Sequence, residues 1–295
     1  MNAFKADLMM LFVTIFWGSS YLFMKIGLDT LSEFNLIALR FGLAFLLAAA
    51  LFHRRLQLVD RETLKFSILL GFILFLVFTT ITYGLKTTTT SNAGFLVSLT
   101  VIFVPLLNSF VFKSKIDPKL MLSILLALTG IAFLTIQLPF RFVQGDLLCI
   151  MTAFFYALHI IVVERAAQKV DSLNLGIIQL GVVGLLGFVF SLIFETPVLP
   201  STTEGWVSIL MLSILCSAIG FIFQTVAQKY TSSTRTGLIF SLEPVFAALF
   251  GFLFIQEMMS GKEIFGASLV LFSIVFTTIK WDKQIIIAKK RSIGS

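Results

Sequence analysis

Stretches of about twenty mostly apolar residues alternate with short polar segments along the whole chain. An α-helix rises about 1.5 Å per residue, so about 20 residues cross roughly 30 Å of hydrocarbon. On that measure the pattern predicts ten spans, over 7–27, 34–52, 64–85, 91–112, 118–136, 146–164, 174–194, 206–229, 235–256 and 262–280. Runs such as Ile68 to Val77 show none of the apolar–polar alternation of a membrane β-barrel. The connections are short, which makes consecutive helices antiparallel neighbours. The first run has no small-residue cleavage site and is followed by many more, so it is expected to stay as a helix and not to be removed as a signal peptide.

Lysine and arginine set the expected orientation. With the N-terminus inside, the inner segments carry Lys5; Arg54, Arg55, Arg61 and Lys65; Lys113, Lys115 and Lys119; Arg165 and Lys169; Lys229 and Arg235; and Lys280, Lys283, Lys289, Lys290 and Arg291, which is 17. The outer segments carry Lys25, Lys86, Arg141 and Lys262, which is 4, and Arg40 falls within a span. This predicts cytoplasmic termini and an inner-membrane, multi-pass chain. Trp206 and Trp281 fall at span ends, where aromatic belts sit. The tail from Lys280 is basic and is expected near anionic headgroups.

Composition agrees. The 295 residues are 58% hydrophobic and 13% charged, against about 25% charged in a soluble domain, too little polar surface for a water-facing globule. The net charge of +7 would by itself suggest nucleic acid. The charges sit instead in short loops between apolar runs, so no nucleic-acid partner is expected. Cys149 and Cys216 lie inside apolar runs and read as small buried hydrophobes, not a disulfide.

The chain contains an internal repeat. Residues 91–136 fall on 234–279 at a shift of 143 without a gap, with identities that include Gly94/Gly237, Ser98/Ser241, Leu99/Leu242 and Phe103/Phe246. A shift of 139 places Asp7 on Asp146, Trp17 on Tyr156, Asn35 on Asn174, Arg40 on Gln179 and Gly42 on Gly181. Five spans per copy is an odd number, so the second copy must enter the membrane from the opposite face. The expected fold is therefore an all-α membrane protein of ten transmembrane helices in two inverted five-helix repeats, both termini cytoplasmic. Residues 1–137 form the first repeat, 138–281 the second and 282–295 a basic cytoplasmic tail. In secondary transporters of this architecture the substrate site lies near the midplane between halves.

The stretch Trp17-Gly18-Ser19-Ser20 with Lys25, then Arg40-Phe41, resembles the opening of EamA-type transporters of the drug/metabolite transporter superfamily. Thr90 to Leu96 followed by Phe103-Val104-Pro105-Leu106 is similar to the same family, as is Leu242 to Ala247 followed by Glu257. The resemblance covers nearly the whole chain. It implies a ten-helix carrier, often an exporter of amino acids, other metabolites or drugs, and it leaves the substrate open.

Depth along the spans selects candidate residues on a substrate-binding or translocation path. Trp17 and Tyr156, repeat partners, fall roughly 15 Å into their spans. They read either as an aromatic pair lining a central cavity or as packing against Gly18 and Ala157. Glu243 lies roughly 12 Å from the cytoplasmic end, where an ionised carboxylate costs at least about 2.5 kcal/mol unless paired or hydrated. It is a candidate for proton coupling, or a structural carboxyl that fixes the kink at Pro244. His159 falls at nearly the same depth and could pair with Glu243 or simply pack. Arg40 could neutralise Glu243, grip a substrate carboxylate or snorkel outward. Gln179, Gln224, Ser20, Asn92 and Ser98 complete the path. Lys25 and Lys86 read as interfacial anchors, and Gly181, Gly184 and Gly187 as a close-packing row.

No phosphate-binding glycine loop or metal-ligand spacing occurs, so no cofactor is expected and ATP does not drive the chain directly. The serines lack an adjacent base, and no enzyme activity is expected. The function this predicts is alternating-access transport of small organic solutes, most simply as a monomer in contact with membrane lipid. An intramembrane lipid-modifying enzyme and a non-transport structural protein are the alternatives. Organic anions are an alternative substrate class within transport.

Overall fold

A computed structural model describes residues 1–88, 90–112, 118–135, 143–255 and 260–278. Trp281, Glu257, Arg141, the tail 282–295 and the side chain of Asn92 lie outside the described part. Among the described residues the chain is helical, with no strands. In order the helices are α1 (Ala3–Leu28), α2 (Glu33–Leu51), the short α3 (His53–Leu56), α4 (Arg61–Gly84), α5 (Thr90–Ser98), α6 (Thr100–Phe112) and α7 (Pro118–Thr135). They continue as α8 (Gln144–Lys169), α9 (Ser172–Phe194), α10 (Thr203–Met211), a π-helical stretch (Leu212–Ile219), α11 (Gly220–Gln228), α12 (Ser233–Phe240), α13 (Glu243–Ile255) and α14 (Gly261–Thr278).

Seven described helices are long and apolar enough to cross a membrane, counting α5–α6 and the α10–π–α11 run as one each. Pro118–Phe133 and Ile264–Phe276 are shorter apolar helices. The outward faces are apolar: Leu46 is 62%, Ile193 65% and Phe110 87% exposed. In water such a surface would drive association; in hydrocarbon it is the ordinary solvent-facing side.

Where the apolar pattern runs on, the structure sometimes breaks. The predicted span 91–112 is divided at Leu99 into α5 and α6. There the Ser98 hydroxyl donates to the Gly94 carbonyl and the Thr100 hydroxyl to the Val97 carbonyl, and the Leu99 and Ile102 amides reach back only three residues. Side chains that bond the local backbone compete with the helical ladder. The predicted span 235–256 breaks at the matching place, with Ser241 and Leu242 between α12 and α13 and the Ser241 hydroxyl bonding the Leu238 carbonyl. Pro244, which has no amide hydrogen, is the second residue of α13, in the first turn where an amide has no intrahelical acceptor. The repeat offset reappears in the helix bounds. α6 and α13 begin and end 143 residues apart, as do α7 and α14.

Packing is also paired. α2 lies along α9 and α7 along α14, each joining helices at matching places in the chain, while α4 packs on α8 much as α10–π–α11 packs on α1. The predicted glycine row makes the α2–α9 contact. A Cβ on Gly184 would stand 2.7 Å from the Gly42 amide nitrogen, one on Gly187 2.8 Å from that of Ala38, and one on Gly181 2.8 Å from the Phe45 ring. Without Cβ atoms the two backbones approach to direct contact, which replaces the missing hydrophobic drive between helices in lipid.

Candidate functional site

Where α1, α2, α4, α5, α8, α11 and α13 converge they line a small cavity of about 40 Å³. Its lining includes Trp17, Ser20, Tyr21, Arg40, Phe78, Thr152, Tyr156, Phe221 and Glu243. That volume has room for a few water molecules and is well below the roughly 300–1,000 Å³ of a small-molecule pocket. Trp17 and Tyr156 stand edge to face, with ring centroids 5.8 Å apart. Phe221 and Phe240 each pack 4.9 Å from Trp17, and Phe240 stacks on Tyr156.

The π-helical stretch positions two of these side chains. A π turn widens the helix and leaves carbonyls without their usual intrahelical partner. The Cys216 carbonyl accepts the Trp17 indole N–H at 2.7 Å, which meets the need of a buried tryptophan for an acceptor. The next residue, Ser217, accepts from Arg40 Nε at 2.7 Å. Gly220 closes the arrangement, because a Cβ there would lie 2.7 Å from the indole nitrogen. Cys149 and Cys216 are free, buried thiols.

Arg40 is 1% exposed and does not snorkel. Its guanidinium lies 4.4 Å from the centre of the Phe78 ring and 5.1 Å from that of Phe41. The faces of these rings supply the negative potential that bulk water would otherwise provide. Nη1 has no partner in the protein. Glu243 is 8% exposed, at the first position of α13, and shares the cavity wall with Tyr21. The Tyr156 hydroxyl is buried without a partner. α1 reaches Glu243 closely because Gly18 has no side chain: a Cβ there would stand 3.1 Å from the Glu243 carbonyl oxygen.

Of the two readings of His159, the pair with Glu243 is not made. His159 Nε2 bonds Gln179 Oε1 at 2.9 Å, Gln179 Nε2 donates to Thr225 Oγ1 at 3.0 Å, and His159 Nδ1 has no partner. Depth along a helix axis placed the two residues level but said nothing of the direction each faces. Gln224 Nε2 donates to Gln228 Oε1 and Gln228 Nε2 to the Ile160 carbonyl, both at 3.0 Å. His159, Gln179 and Gln224 thus form a fully buried polar seam joining α8, α9 and α11, none of them on the cavity wall. Ser98 is also off the wall and bonds its own helix. Lys86 forms an ion pair with Glu33.

Trp17, Ser20, Arg40, Tyr156 and Glu243 are the sequence candidates brought together on the wall. Tyr21, Phe78, Thr152, Phe221 and the supporting Ser217 were missed. Tyr21 lies one turn beyond Trp17, a spacing that would have placed it on the same face. Ser217 carries no comparable signal, because its role depends on a π turn inside an uninterrupted apolar run.

The EamA-like transporter family matches this chain twice, over residues 4–136 and 143–279. An uncharacterized transporter of Archaeoglobus fulgidus is 29% identical over 275 residues, covering 93% of this chain and 86% of the relative. A second from the same organism is 28% identical over 94% and 98% of the two chains. The uncharacterized transporter YoaV of Bacillus subtilis is 23% identical over 95% and 99%. A solved crystal structure superposes with a TM-score of 0.79 over 94% of this chain and 97% of the other, at 19% identity, and so speaks for the fold alone. The apolar helices, the doubled match and these relatives together make the chain a multi-pass membrane transporter belonging to the EamA-like transporter family.

Proposed function

We propose that the protein is a ten-helix carrier of the inner membrane, with both termini cytoplasmic and two inverted halves, 1–137 and 138–281, that rock around the central cavity. It exports small organic solutes of the amino-acid, related-metabolite or drug class. The observation that carries this reading is the composition of the cavity wall. Trp17 and Arg40 come from the first half, and Tyr156 and Glu243 from the second. A site built jointly by both halves is remade whenever they move relative to one another. One cation and one carboxyl among aromatic rings suit a zwitterionic or neutral amphipathic solute better than a multiply charged anion, which would call for more positive charge. At about 40 Å³ the cavity admits no such solute until the halves separate.

Glu243 is proposed as the proton-coupling group and Arg40 as the group that grips a substrate carboxylate. A thermal-shift screen of the purified protein against amino acids and cationic drugs identifies ligands, since a compound that binds the folded state raises its melting temperature. Proteoliposomes then test movement of the hit. Transport by the parent protein with altered rate or pH dependence in Glu243→Gln is the expected result. A parent that binds but never moves any hit would sink the carrier reading. An unchanged rate and pH profile in Glu243→Gln would discard the proton role alone.

A further inference from the structure

Two hydrogen bonds away from the cavity share one construction. The Thr88 hydroxyl donates to Asp146 Oδ1, and the Thr231 hydroxyl donates to Asp7 Oδ1 at 3.1 Å. Asp7 and Asp146 are the pair related by the shift of 139, near the start of α1 and α8. Thr88 and Thr231 are related by the shift of 143 and precede α5 and α12. All four residues therefore sit at matching repeat positions. Each bond also crosses between halves, with the threonine of one held by the aspartate of the other. In the proposed topology the Thr88–Asp146 bond closes the outer end and the Thr231–Asp7 bond the inner end.

The surroundings of the two bonds differ in kind. Asp146 is fully buried, and its second oxygen accepts the Val143 amide at 2.9 Å. Beside it the chains touch through glycines, and a Cβ on Gly145 would lie 2.4 Å from the Gly84 carbonyl oxygen. The matching inner positions are Ala6 and Ala227, both buried. There Asp7 has a second partner, Arg235, at 2.5 Å, and the position matching Arg235 in the first half is Asn92, which carries no charge. The start of α12 is tied further by the Ser233 amide, which donates to Glu164 Oε2 at 2.9 Å.

We propose that Thr88–Asp146 and Thr231–Asp7–Arg235 are the outer and inner latches of alternating access, each of which must break for the cavity to open on its own face. This rests on the carrier reading above. Both latches are closed here, in keeping with a cavity too small for a solute. The inner latch holds by two contacts, the second of them the Arg235–Asp7 ion pair, which the outer latch lacks.

Sided labelling tests this without a known substrate. In a Cys149→Ala/Cys216→Ala background, a single cysteine at the cavity wall (Ser20→Cys) is reacted with a membrane-impermeant thiol reagent in right-side-out and inside-out vesicles. Thr88→Val should speed labelling from the outer face only, by about tenfold, the loss of one hydrogen bond to a carboxylate. Thr231→Val should speed it from the inner face only and by less, because Arg235 remains. Thr231→Val/Arg235→Gln should give the full inner effect. Thr88→Ser and Thr231→Ser should label like the parent, which separates loss of the hydroxyl from misfolding. Acceleration from the wrong face, from both faces or from neither overturns the latches. That result alongside normal solute transport would leave the carrier reading standing. Sided labelling in a protein that transports nothing would support the latches and fault the carrier.

Discussion

The cavity wall and the polar seam behind it are both built of buried polar groups among apolar helices, yet they differ in what those groups do. In the seam, His159, Gln179 and Thr225 form one hydrogen-bonded chain, and Gln224, Gln228 and the Ile160 carbonyl another. Each region also leaves polar atoms without a protein partner: Arg40 Nη1 and the Tyr156 hydroxyl belong to residues that line the cavity, whereas His159 Nδ1 and Gln224 Oε1 belong to residues off its wall. Burying a polar group unpaired costs a few kcal/mol, and in the function proposed above a bound solute satisfies the two on the wall. The repeat sharpens the contrast. Arg40 and Gln179 occupy equivalent positions in the two halves, but one faces the cavity and the other ties three helices together.

The largest effect should come from making the two positions alike. Arg40→Gln is expected to lower transport of an identified solute by roughly ten- to hundredfold, the loss of one hydrogen bond to a charged group, as measured in proteoliposomes. Near-parental transport would remove Arg40 from the binding wall. Gly220→Ala comes next, since its Cβ must displace the Trp17 indole. Overpacking of this kind costs about 1–3 kcal/mol, read as a lower melting temperature in detergent together with slower transport. An unchanged melting temperature would mean that the π stretch yields without strain.

Ser217→Ala removes the partner of Arg40 Nε but leaves the guanidinium in place. Transport should fall by about tenfold, the low end for one hydrogen bond to a charged group, and Ser217→Thr should restore it. Failure of the threonine to rescue would point to packing in place of the hydroxyl. The smallest transport effect is expected in the seam. Gln179→Leu should lower stability by about 1 kcal/mol, the scale of an interhelical hydrogen bond in a membrane protein, while transport stays within about threefold of the parent. If transport instead collapses as in Arg40→Gln, the distinction between wall and seam is wrong.

Much of this was legible from residue order. The apolar runs mark the helices, since lipid leaves little choice for a stretch such as Ile68 to Val77 except to satisfy its backbone internally. The offset of 143 read from Gly94/Gly237 and Ser98/Ser241 reappears in the bounds of α6 and α13. Trp17 and Tyr156, paired by the offset of 139, meet at the cavity. The choice of hydrogen-bond partner was not legible. His159 bonds Gln179 and not Glu243, while Glu243 shares the cavity wall with Tyr21. Level depth leaves the facing direction of each helix undetermined.

Residue order by itself determined that the chain is helical, lives in lipid and repeats itself, because hydrophobic length and periodic identity are properties of the chain alone. The tertiary structure decided which buried polar groups meet. It brought the Cys216 carbonyl to Trp17 and Ser217 to Arg40 through a π turn inside an uninterrupted apolar run. Such contacts depend on how helices rotate and on where a backbone ladder slips by one residue, and both are settled by packing against neighbours far away in the sequence.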